Sequence, residues 1–269
     1  MTNAGGNQNS SSPQDVFEIV FEAQNKSPTL REIWTSAYGD DYPVEADPSS
    51  FVTLTDLERF ARELCVGPGH TFTDIGCGRG GPGLWVARKT HASLIGIDTS
   101  EVAVRHASNR LLGTDLVGKA RFQRGDFLAT ALPEGSLIDA AMSADALLFA
   151  PDRAAACREV ARILRPGTRF VFTTWELFQP SVSLGLDPIV DYRPLLEAAG
   201  FAVELYEETG NWEPRMQAVF AGIIAAEQKL KREMGEVAAA LVNRWALTRP
   251  KELSDSRRVF GVGRRKGDA

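Results

Sequence analysis

The stretch Thr71-Phe-Thr-Asp-Ile-Gly-Cys-Gly-Arg-Gly-Gly-Pro-Gly83 restricts this chain to few folds. Thr71–Ile75 suits a short strand, the glycines after it suit a tight turn, and the residues from Gly83 to Thr90 suit a helix. Gly76, Gly78 and Gly80 free the backbone to take positive φ and to approach a ligand closely. The helix would aim its unpaired N–H groups and positive dipole end at the turn, a setting that favours an anionic group. A second strand read over Leu94–Asp98 ends on an acid 20 residues past Gly78, where a carboxylate can accept hydrogen bonds from ribose hydroxyls. Gly76-x-Gly78-x-x-Gly81 also satisfies the dinucleotide pattern, so the turn by itself admits a nicotinamide cofactor as well.

The pattern continues in the same style. Further strands are expected at Ala120–Arg124, Ile138–Met142, Arg169–Thr174, Ala202–Glu207 and Arg258–Arg264. Helices are expected at Ser100–Leu112, Asp152–Leu164 and Tyr192–Ala199, with a long one from Glu213 to Ala246 that Gly235 divides into two. Alternating strands and helices imply a mostly parallel sheet covered on both faces, because parallel strands need long crossovers. Upstream, apolar residues at helical spacing between Asp15 and Tyr42, and a helix over Asp56–Leu64 with Thr55 as its N-cap, form a helical N-terminal segment. The Ser/Asn/Gly-rich residues 1–12 read as a disordered tail.

Two more features accompany the turn. Asp74 stands two residues before its first glycine, and Gly125-Asp126-Phe127 follows the third strand, an acid and an aromatic suited to an adenine. On these residues the chain resembles the class I S-adenosylmethionine-dependent methyltransferases. Asp74-Ile-Gly-Cys-Gly-Arg-Gly80 is similar to their first motif, Asp98 to the ribose acid, Asp126-Phe127 to the adenine site, and Leu164-Arg-Pro-Gly167 to the lead-in of their fifth strand. The resemblance implies a Rossmann-like α/β fold, a seven-stranded mostly parallel sheet with a reversed last strand. It also implies S-adenosylmethionine held by Asp74, Gly76, Gly78, Gly80, Asp98, Thr99, Asp126, Phe127 and Ser143. Within the superfamily the chain looks like bacterial small-molecule enzymes of the menaquinone-type and natural-product tailoring group. Their organisation implies a lid over residues 13–66 and a core over residues 67–269, with a helical cap near 209–247.

Ligands of open α/β sheets bind beyond the carboxyl ends of the strands. For the methyl acceptor this points to Asp145, Phe149, Trp175 and Glu176 after the fourth and fifth strands, and to Trp212, Arg215 and Met216 after the sixth. Trp34 and Tyr38 would join them from the lid. Aromatic walls suit a flat, electron-rich acceptor such as an indole, a phenol or a heteroaromatic amine. A hydroxyl acceptor would need a base. His70, His91 and His106 are poorly placed for that role, which leaves Glu176, Asp145, Asp191 and Tyr192. Glu176 and Tyr192 are the expected catalytic residues, and the histidine placement leans toward carbon or nitrogen acceptors. Asp139 and Asp145 offer too few converging oxygens for a hard cation, so no metal is expected.

Composition narrows the remaining classes. With 30 basic against 35 acidic residues the net charge is −5, the wrong sign for a protein held to phosphate backbones, and Ser143-Ala-Asp-Ala146 replaces the Asn-Pro-Pro-Tyr type motif of nucleic-acid methylases. Three cysteines without a C-x-x-C form neither a disulfide framework nor a zinc site. The start lacks the basic and apolar stretches of a secretory signal, and the apolar run from Leu137 is broken by Asp139 and Asp145, so a cytoplasmic protein without a membrane span is expected, as monomer or homodimer. The basic stretches Arg257-Arg258 and Arg264-Arg265-Lys266 read as a solvated edge strand. A nicotinamide-dependent oxidoreductase is the alternative, weakened by the lack of a Tyr-x-x-x-Lys pair. A methyltransferase fold serving as a cyclase or binding protein is the other.

Overall fold

A computed structural model describes residues 13–134 and 138–267; the expected tail lies outside the described residues. The sheet has seven strands: β1 (Thr71–Ile75), β2 (Ser93–Asp98), β3 (Ala120–Arg124), β4 (Ile138–Ala144), β5 (Leu164–Leu177), β6 (Phe201–Glu208) and β7 (Ser256–Arg265). Their spatial order is β3-β2-β1-β4-β5-β7-β6. The first five run parallel, and β7 runs antiparallel between β5 and β6. The chain order therefore reverses at β1 and β4, the switch point beyond which α/β sheets receive their ligands.

The two faces carry separate cores. On one, α3 (Leu54–Glu63) and α4 (Gly81–Thr90) bury Phe60, Leu57, Leu84 and Val86 against Phe72, Val171 and Phe260. On the other, α6 (Arg153–Ile163) and α7 (Arg193–Ala198) bury Val160, Ile163 and Leu196 against Ile75, Phe170 and Phe172. Between these helices in the chain, α5 (Glu101–Leu111) packs on β2 and β3. A third cluster lies off the strand ends. It joins α2 (Pro28–Tyr38) to α8 (Trp212–Ala225), α9 (Glu227–Met234) and α10 (Glu236–Thr248), and reaches the sheet through Trp175 and Leu177 of β5. The first helix, α1 (Pro13–Gln24), contacts both α5 and α10.

Four local expectations are corrected. The helix over Asp56 is capped by Thr53, not Thr55, because Thr53 and Asp56 close a reciprocal capping box. The long C-terminal helix breaks at Ala226 as well as Gly235, giving three helices; Glu233 of α9 accepts hydrogen bonds from Ser27 Oγ, Thr29 Oγ1 and Thr29 N–H. β5 continues three residues past Thr174, since β7 pairs with it through Leu177. The basic stretch is no edge: β7 lies inside the sheet, and Arg258 is 1% exposed. Charge alternation at a strand says nothing about edges once a long-range acid can neutralise it. Among the described residues no helix is long and apolar enough to cross a membrane.

Candidate cofactor and acceptor site

The glycine turn lies at the switch point and is built as its sequence requires. Gly76, Gly78 and Gly80 have φ of 74°, 51° and 77°, where a Cβ would cost about 1–2 kcal/mol per residue. Gly76 N–H and Cys77 N–H both donate to Ile97 O, at 2.8 and 3.0 Å, so the turn hangs from the end of β2. A Cβ on Gly76 would overlap that of Ala146, and the Phe127 ring lies 3.5 Å from the same point. Phe127 is therefore pressed against the turn, as an adenine wall would be.

The acids divide by what holds them. Asp98 is half-buried; its Oδ2 accepts from Gly78 N–H at 2.8 Å and its Oδ1 from Ser100 N–H at 2.9 Å. Burial raises its pKa, and the N–H groups of Ser100, Gly78 and Thr99 oppose the rise. Asp74 is 1% exposed, and neither carboxyl oxygen forms a well-shaped hydrogen bond. Burial, with the Asp98 charge behind it, raises its pKa to about 7, and only the nearby Gly83 amide opposes the shift. Ser143, buried in β4, also has an unpartnered hydroxyl. Orphaned buried polar atoms are rare in folded proteins and usually face a ligand or water. With side-chain-free glycines above it, Asp74 fits a site for a cofactor carrying hydroxyl and ammonium groups. Asp126 is spent locally: its Oδ1 accepts from Leu128 N–H at 2.6 Å and Ala129 N–H at 2.8 Å.

The aromatic residues and Met216 expected at the acceptor gather in the third cluster around one residue that the sequence reading passed over, Phe51. Its ring centroid lies 5.0 Å from Trp34, 5.7 Å from Trp175, 6.4 Å from Phe220 and 5.7 Å from Trp245. Trp175 meets Trp212 edge-on at 5.1 Å, and Tyr38 lies 5.6 Å from Trp34. Met216 is buried in the same cluster, and Phe149 packs against it. Arg215 does not face an open pocket: it pairs with Asp41 at 2.6 Å and lies over the Tyr38 ring. Phe51 sits in a polar stretch, Asp47-Pro-Ser-Ser-Phe51, with no periodic signal to reveal it.

Under this cluster lies a buried ionic network. Arg258 pairs with Asp145 (Nε–Oδ1, 2.9 Å) and Asp56 (Nη1–Oδ2, 2.8 Å), all three side chains at most 5% exposed. Asp145 takes a positive φ of 56° at the tip of β4 and accepts Phe51 N–H at 3.0 Å. Burial opposes the Arg258 charge, but the two carboxylates outweigh it and raise its pKa. Asp145 thus joins the Phe51 backbone to Arg258.

The structure separates the two expected catalytic residues from this assembly. Side chains alternate along a strand, so Trp175 faces the aromatic cluster and Glu176 the opposite sheet face. There Glu176 is fully buried, pairing with Arg257 at 2.5 Å and accepting from Tyr206 Oη at 2.5 Å. Tyr192 is in that same core beside Phe172, its phenol pushed up to about 12 by burial and its hydroxyl 3.4 Å from Trp175 O. Asp191 is tied to Arg193. His70 accepts from Gly67 N–H, and His106 pairs with Glu22.

Residues 73–172 match the protein family described as a methyltransferase domain. The chain is 34% identical over 128 residues to methyltransferase GfsG of Streptomyces halstedii, covering 46% of each chain. It is 31% identical over 162 residues to the 27-O-demethylrifamycin SV methyltransferase of Amycolatopsis mediterranei, covering 59% of this chain and 58% of that one. The aligned part thus spans about half the length of these curated relatives. The structure of the [4+2]-cyclase SpnF superposes with a TM-score of 0.73 at 20% identity, over 96% of this chain and 98% of that one, and shares its fold. The glycine turn and the acids ending the first two strands fall within or beside the matched stretch, so residues 73–172 carry a methyltransferase domain similar to that of S-adenosylmethionine-dependent small-molecule methyltransferases.

Proposed function

We propose that the chain transfers a methyl group from S-adenosylmethionine to a small, flat, largely apolar acceptor, an aromatic or heteroaromatic ring methylated at carbon or nitrogen. The observation that carries this reading is the apolar path joining the two halves of the site. The Phe21 ring lies over Gly78, Phe17 stacks on Phe21 at 5.8 Å and meets Phe149 edge-on at 5.0 Å, and Phe149 packs on the aromatic cluster around Phe51. When bound, the cofactor supplies an already activated methyl group. The protein's task is then to hold the acceptor in attack geometry and exclude water, which can lower a barrier by several kcal/mol.

Asp98 would accept from the ribose, Phe127 would face the adenine, and the aromatic cluster would clasp the acceptor. Carbon and nitrogen nucleophiles can attack without a strong base, and this suits a cluster beside which Asp145 is neutralised by Arg258 and Glu208 is engaged by the Trp212 Nε1–H. We read Glu176 and Tyr192 as core anchors in place of proton acceptors. A role in natural-product tailoring is supported by the relative named for demethylrifamycin.

The test is calorimetric titration with S-adenosylhomocysteine and with NAD, followed by methyl-labelled donor with indoles, phenols and heteroaromatic amines. S-Adenosylhomocysteine binding is expected, weakened by about 1–3 kcal/mol in Asp98→Ala, with label transferred to ring carbon or nitrogen. Binding of NAD alone would overturn the cofactor reading. Label found solely on phenolic oxygen would overturn the choice of atom.

A further inference from the structure

The glycine turn is wrapped by the N-terminal segment at three neighbouring residues. Phe21 of α1 lies 3.9 Å from where a Gly78 Cβ would be. Arg79 reaches out of the turn to both flanks of α2: Nε donates to Ser49 Oγ at 2.8 Å, Nη2 to Asp47 O at 3.0 Å, and Nη1 to Asn25 Oδ1. At Gly81 a Cβ would overlap the carbonyl of Ala46, so that loop seats directly on the start of α4. Arg110 from α5 adds a bond to Ala46 O at 2.8 Å.

We propose that Arg79 is a positioning residue that latches the N-terminal segment to the cofactor turn, so that cofactor occupancy and closure of the segment are coupled; this rests on the methyltransferase reading above. Arg79 stands on the turn itself, between Gly78 and Gly80, so its guanidinium ties the backbone of the turn to the segment. That guanidinium is 3% exposed and spends its donors on acceptors from two separate parts of the segment. The ionic ties of α1 are weaker in kind. Glu22 pairs with Arg105 and His106 with half its side chain in water, and such exposed pairs contribute at most about 1 kcal/mol. A buried forked guanidinium is the stronger and more directional tie.

Coupling of this sort is reciprocal: what helps the cofactor order the segment helps the segment hold the cofactor. Chymotrypsin digestion reads the segment directly through Phe17, Phe21, Trp34 and Tyr38, and calorimetry with S-adenosylhomocysteine reads the turn. In the unaltered protein the ligand should slow cleavage between residues 13 and 45. Arg79→Ala and Asn25→Ala should lose that protection and bind the ligand about tenfold more weakly, the loss of one charge-assisted hydrogen bond. Arg79→Lys should recover part of both, since an ammonium can reach one acceptor but not all three. Gly81→Ala should show the same uncoupling from the segment's side, with the midpoint of thermal unfolding reporting that each variant is folded. Ligand-dependent protection in Asn25→Ala and Arg79→Lys equal to that of the unaltered protein would overturn the latch. Failure of the unaltered protein to bind S-adenosylhomocysteine would instead overturn the reading beneath it.

Discussion

The proposed cofactor half and the proposed acceptor half of the site are built on opposite plans. Around the glycine turn, buried polar atoms are left without partners: both oxygens of Asp74 and the hydroxyl of Ser143. Around Phe51, the charged groups beneath the rings are fully engaged, with Arg258 answering Asp145 and Asp56 and Asp145 answering the Phe51 amide. One half stores unsatisfied polarity that a polar cofactor can relieve. The other presents apolar faces and keeps the Asp145 and Arg258 charges paired below them, with Asn243 Oδ1 on α10 its unpartnered buried polar atom among the described residues. A polar ligand is recognised by what is missing, an apolar one by what has been hidden.

The sharpest way to break this contrast is to strand the charges under the acceptor half. Arg258→Met leaves two buried carboxylates without a counter-ion, and the expected loss is about 3–5 kcal/mol of folding stability, read by urea unfolding. A change below about 1 kcal/mol would mean that water already screens the network. Next in size is Glu176→Gln, which keeps the shape but weakens the bonds from Arg257 and Tyr206. Stability should fall by about 1–3 kcal/mol, the range for hydrogen bonds to charged groups, while turnover of the folded enzyme stays within a few-fold. A collapse of turnover at unchanged stability would restore Glu176 as the base.

The smallest effect concerns the cofactor half. Asp74 has its pKa raised from 3.8 to about 7 by burial and by Asp98. Between those values the ligand-free native state keeps a proton that the unfolded chain has released. The Asp74 contribution to stability is therefore greatest at the acid end of the window and declines as pH rises toward 7. Asp74→Asn should flatten this part of the pH profile of urea unfolding without ligand. An identical slope in both proteins would show that water reaches the carboxyl.

The difference between the halves also explains what was legible beforehand. Gly76, Gly78, Gly80 and Asp98 were readable because strand, turn, helix and acid follow one another along the chain, and their spacing is the geometry. Trp34, Trp175 and Trp212 were assigned to one chamber from strand ends and lid position, and they do share a cluster. Phe51 and Trp245, which complete it, carried no signal in a polar loop and in the last turns of a long helix. Arg258 was read as a solvated edge residue because its partners lie 113 and 202 residues away. Glu176 was placed at a strand end, but pairing with β7 extended the strand and alternation turned the carboxylate to the far face.

By itself, then, the sequence determined the order of strands and helices, the glycine turn and the acids placed beside it, because those depend on dihedral freedom and on neighbours a few residues apart. Only the tertiary structure decided which face each acid takes, which cations neutralise it and which ring stands at the centre of the chamber. Those choices depend on strand pairing and burial between segments distant along the chain, where no local spacing carries the information.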